Sequence, residues 1–117
     1  MKFPIIELVD RYAVAVVKSQ NTHGENFEEL QFYQREMQDA DIDVSDELIL
    51  ALIEHHRFVW SLEDDFKKCR IDNLPLEEIG RRAIIIRDAG FNRFILKNKI
   101  AEKMGDNIKE VKSYFDQ

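Results

Sequence analysis

Residues 45–70 read SDELILALIEHHRFVWSLEDDFKKCR and residues 76–104 read LEEIGRRAIIIRDAGFNRFILKNKIAEKM, with IDNLP between them. In the first run Leu48, Leu52, Val59, Leu62 and Phe66 recur at helical spacing and predict a buried stripe. Ser45 is the expected N-cap. In the second run Pro75 suits a first-turn position, Glu77 and Glu78 complement the positive end of the helix dipole, and Gly105 marks the end. Two helices joined by so short a break pack antiparallel. The predicted fold is therefore all-α: a four-helix bundle-like single domain over residues 1–117, dominated by a long antiparallel hairpin of about 46–70 and 76–104.

The remaining elements are read around that hairpin. Ile5, Leu8, Val9, Tyr12, Ala15 and Val16 fall on one helical face, with Glu7, Asp10, Arg11 and Lys18 assigned to the opposite one, which predicts a helix over about 4–19. Gly24 marks a turn. Asn26 followed by Glu29 has the spacing of a capping box, and Leu30, Tyr33 and Met37 then form a narrow stripe to about Asp39. Asp106 is placed to cap a short C-terminal helix carrying Ile108, Val111 and Phe115.

The composition excludes several function classes. A formal charge of −6 opposes binding to a phosphate backbone, so no nucleic-acid partner is expected. No run approaches the roughly 20 apolar residues of a membrane span, and Glu7 and Asp10 do not suit a signal peptide's apolar core. Cys69 is the lone cysteine, so no internal disulfide forms and a cytoplasmic setting is expected, with Cys69 read as a core residue. Asp39, Asp41 and Asp43 begin like a calcium loop, but Val44 stands where glycine is needed and Leu50 where glutamate is needed. With no Cys/His cluster and no glycine-rich phosphate loop, neither metal nor cofactor is expected. The spacing Glu25-x-x-Glu28 and Glu36-x-x-Asp39 echoes helical pyrophosphohydrolases. Here it sits within one short segment, which cannot build facing carboxylates on two helices.

The functional clue is a set of charges placed where apolar residues belong. His56 and Glu63 fall inside the apolar arc of the first long helix; Arg82, Arg93 and Lys97 fall inside that of the second. Charges on a core face are costly unless matched. Counting back from the turn pairs Glu63 with Arg82 first and Arg93 second, and sets His56 near the level of Gly90 to Arg93. Trp60, one turn before Glu63 and Asp64, brings an indole N–H that needs a partner if buried. Two readings follow. In one the charges form a structural layer that fixes helix register. In the other, Arg82, Arg93 and Lys97 receive a phosphate or carboxylate, with Glu63 or His56 moving a proton.

The elements Trp60-Ser61-Leu62-Glu63-Asp64, Leu76-Glu77-Glu78-Ile79-Gly80-Arg81-Arg82-Ala83, Ile86-Arg87-Asp88, Asn92-Arg93 and Lys97-Asn98 resemble a family of small uncharacterised bacterial helical proteins. In that family a W-x-x-E-D element precedes an asparagine- and arginine-bearing element on the next helix, and some members are encoded beside cell-surface glycan genes. The resemblance covers roughly residues 52–104. It implies a helical architecture and a characteristic set of Trp60, Glu63, Asp64, Asn92, Arg93 and Asn98, but no activity. The candidate ligand-binding set is thus His56, Trp60, Glu63, Asp64, Arg82, Asn92, Arg93 and Lys97.

A second stripe on the last long helix, Ile84, Phe91 and Ile95, makes it apolar over most of its circumference and predicts a homodimer interface. The expected function is a non-enzymatic interaction or assembly protein; the alternative is a helical enzyme or binding protein for an anionic metabolite.

Overall fold

The structure, a computed structural model, describes residues 4–105. The expected C-terminal helix lies outside the described residues. Four helices follow in order: α1 (Ile5–Asn21), α2 (Phe27–Asp39), α3 (Glu47–Lys67) and α4 (Leu76–Lys103), packed against one another as an all-α bundle-like fold. α3 and α4 form the antiparallel hairpin, with Asp65 beside Arg82 near the turn and Asp46 beside Lys103 at the far end.

The caps differ from expectation. Asp46, not Ser45, caps α3: its carboxylate accepts from the Leu48 N–H at 2.9 Å. Ser45 bonds back to Asp43 Oδ1 through both its N–H and its hydroxyl, so the acidic loop folds on itself as a turn. Asp46 also receives Lys103 Nζ at 2.6 Å, so one carboxylate closes α3 and ties it to the end of α4. Asn26 is the N-cap of α2 but makes no capping bond. Its amide Nδ2 donates to the Ala15 carbonyl of α1 (3.0 Å) and to Glu29 (3.2 Å), which fixes the α1–α2 turn instead. Gly105 follows the Met104 C-cap of α4, and its φ of 72° is a conformation that costs a glycine little.

The core joins Leu8, Val9, Tyr12, Ala13 and Val17 of α1 to Met37 and Ile42, to Ile49, Leu52 and Ile53 of α3, and to Ile100 of α4. It takes only one end of the hairpin. Nothing from residues 61–95 joins this cluster, so the turn end of α3–α4 projects past α1. This explains why the predicted α3 stripe is only partly realised: Leu52 is buried, while Val59, Leu62 and Phe66 are half-buried. Cys69, expected in the core, is exposed in the turn.

Candidate functional site

The charged cluster exists, but its centre is a residue that the sequence pattern assigned to the surface. Asp10 of α1 is 5% exposed. Its Oδ1 lies 2.8 Å from His56 Nε2, and its Oδ2 lies 2.9 Å from an Arg93 terminal nitrogen and 3.7 Å from Lys97 Nζ. Lys97 is itself 3% exposed and lies 3.9 Å from Glu7 Oε2. Two carboxylates of α1 thus face two cations of α4, with an imidazole of α3 completing the layer. Three helices meet at one set of bonds.

Burial alone would push the Asp10 carboxyl up. Hydrogen bonds from His56 and Arg93, and the charges of Arg93 and Lys97, outweigh it and hold the group well below the usual carboxylate range. An ionised carboxylate only accepts, so the proton of this bond sits on His56 Nε2, and Nδ1 is left as the second ring position. His55, edge-on to His56 at 5.5 Å, is held below its ordinary value by burial and by the neighbouring positive groups.

The predicted set divides in two. His56, Arg93 and Lys97 are brought together, and Trp60 packs partly buried at the edge of the core nearby. Glu63 is exposed, and the expected Glu63–Arg82 pair is not formed. Arg82 bonds Glu78 at 3.1 Å and Asp65 at 3.4 Å. Asp64 and Asp65 together receive Arg70, at 2.6 and 2.8 Å. Asn92 is exposed. Asn98 is half-buried, with its Oδ1 enclosed and without a hydrogen-bond partner among the described residues. The physical reason is the projection of the hairpin. Glu63 and Arg82 lie on inward arcs of their helices, but at a level where α1 does not cover them. The charges there form a solvated surface network, each pair worth little.

Asp10 had a sequence signal. Its neighbours at i−4, i+3 and i+7 are Ile6, Ala13 and Val17, all apolar and all buried. The test that singled out His56 also singles out Asp10 when applied to α1.

Neither of two surface cavities shares a lining residue with the cluster. One of about 380 Å³ is lined by Tyr12, Gln31, Gln34, Arg35, Gln38 and Val44. A shallower one of about 270 Å³ is lined by Glu63, Phe66, Lys67, Ala83 and Ile86. Among the described residues no group of three or more His, Cys, Asp or Glu side chains is placed to hold a metal ion, and no helix is long and apolar enough to cross a membrane. Comparison with protein-family models, curated proteins and solved structures finds no match to this chain.

Proposed function

We propose that this chain is a non-enzymatic interaction protein of the cytoplasm that assembles as a homodimer through the outer face of α4. The observation that carries this reading is the row Ile84, Phe91 and Ile95, spaced seven and four residues apart on one face. They are 50%, 37% and 37% exposed, on the side of α4 away from Phe94, Lys97 and Ile100. Phe58 of α3, 52% exposed, adds apolar surface on the hairpin. A row of large apolar groups on a helix that the core engages at one end favours contact with another surface. A second copy of the chain supplies a matching row by symmetry.

The charged cluster supports the same reading. A ligand site needs cationic charge left over for the ligand. Here Asp10 and Glu7 face Arg93 and Lys97, and Asp10 also holds His56, as in a structural layer that sets the register of three helices.

Oligomeric state tests the proposal. In light scattering across about 10–500 µM, the range that covers weak self-association, the wild type is expected to be a dimer. Ile84→Glu is expected to be a monomer with unchanged far-UV dichroism. A wild type that stays monomeric throughout overturns the reading. A saturable thermal shift with phosphate or a dicarboxylate, abolished by Arg93→Ala, would move the assignment to the anionic-metabolite alternative.

A further inference from the structure

The cavity of about 380 Å³ between α1, α2 and the loop that follows α2 shares no lining residue with the charged cluster, and its lining differs in kind. Gln31, Gln34 and Gln38 recur at i, i+3 and i+7, so three amides line one edge in a row. Arg35 stands among them. Among the described residues Arg35 makes no ion pair or hydrogen bond, whereas Arg57, Arg70, Arg81, Arg82, Arg87 and Arg93 each face a carboxylate.

Tyr12 closes the floor. Its ring belongs to the hydrophobic core and only 7% of the residue is exposed. Its hydroxyl has no hydrogen-bond partner among the described residues, yet it is not among the fully enclosed polar atoms that lack one. The remaining exposure of Tyr12 therefore includes the hydroxyl, which opens to the cavity it lines. Burial pushes the phenol up from its ordinary value, so the group is a neutral donor near neutral pH.

We propose that this cavity binds a small polar ligand through a carboxylate, with Arg35 taking the carboxylate and the Tyr12 hydroxyl and glutamine amides taking the adjacent polar group. The planar guanidinium fork matches a carboxylate bidentately. Amide side chains present both donors and acceptors, which suits a neighbouring peptide-type amide. The volume falls within the ~300–1,000 Å³ of small-molecule sites. Charge selects the class further. Arg35, without a carboxylate partner among the described residues, sits beside the end of α2 and the following loop, which carry Asp39, Asp41 and Asp43, in a chain of net charge −6. A single negative charge is accommodated there, and a phosphate dianion is opposed. A free N-acylated amino acid and the C-terminus of a peptide share this chemistry.

The test is a titration followed by amide chemical shifts on the full chain. The probes are N-acetylalanine, N-acetyl-trialanine, the amidated forms of both, and inorganic phosphate. The expected result is saturable shifts confined to residues around Tyr12, Gln31–Gln38 and Val44 with one or both free acids. Binding of the small acid alone identifies a metabolite site, and binding of the peptide alone identifies a C-terminus reader. Amidation and Arg35→Ala should each weaken binding at least about tenfold, as for loss of a charge-assisted bidentate pair, and Tyr12→Phe about threefold or more. Arg35 is exposed and Tyr12→Phe keeps the ring, so both variants are expected to give the wild-type spectrum before titration. No saturable shift by about 10 mM, a range that still detects very weak binding, would overturn the proposal. Equal binding of amidated probes, or phosphate binding as tightly as the acids, would overturn it as well.

Discussion

Replacing Asp10 with alanine isolates the energetics of the buried layer. The side chain is 8% exposed and has three partners: His56 at 14%, Lys97 at 4% and Arg93 at 40%. Removal leaves the buried Lys97 facing Glu7 at 3.9 Å. Breaking a buried pair by deleting one partner costs about 3–5 kcal/mol, because a charge stays buried without its counter-charge. Arg93 opens to solvent and rehydrates, so its share is small and the lower part of that range is expected. A loss of ~3 kcal/mol is a large fraction of a total stability of about 5–15 kcal/mol. At roughly 4 °C per kcal/mol for a chain of this size, the melting point should fall by about 12 °C. Urea unfolding followed by dichroism measures it, with the slope compared to confirm that the unfolded state is unchanged. Pairing Asp10→Leu with Lys97→Met removes both charges together and should recover more than half of the loss, since an apolar pair of similar volume replaces an ion pair at little net cost. An Asp10→Ala variant within about 0.5 kcal/mol of wild type, the range of a surface substitution, would refute the buried-layer argument.

Other expectations follow from the same geometry. The Asp10 carboxyl is held below its unfolded value, so its contribution is complete above about pH 5 and is lost as pH falls further. The stability gap between wild type and Asp10→Asn should therefore narrow from pH 5 to about pH 2.5, and an unchanged gap counts against the assignment. His55, held down by burial, acts in the same sense over a higher range: stability should decline as pH drops below about 6.5, and His55→Gln should reduce that decline. Glu63→Ala should change stability by less than about 0.5 kcal/mol in urea titration, since Glu63 is exposed. Gly80 lies inside α4 with nothing within 4 Å of an added Cβ, so Gly80→Ala should raise stability by about 0.5–1 kcal/mol, visible as a higher urea midpoint.

Much of the architecture is determined locally and is legible in the chain. The periodicity of Ile5 to Val16, the Leu30–Tyr33–Met37 stripe, and Pro75 and Gly105 at the ends of α4 are properties of single segments, and they place four helices within a few residues of their observed bounds. The inward position of His56, Arg93 and Lys97 was legible for the same reason, since a helical wheel needs no neighbour. Their partners were not. Pairing depends on how far α1 overlaps the hairpin, and that is set by tertiary packing of Leu8, Val9 and Tyr12 against Ile49, Leu52 and Ile100. Because α1 covers only one end of the hairpin, two residues on equivalent arcs meet opposite fates: His56 reaches a buried carboxylate, while Glu63, two turns on, meets water. The charge of Asp10 points to the polar face, and only packing brings two cations and an imidazole to stabilise it among apolar neighbours. The unmatched Arg35 is likewise a tertiary fact. The sequence supplies an arginine among glutamines, but that it meets no carboxylate among the described residues and shares a cavity with the Tyr12 hydroxyl follows from the α1–α2 contact.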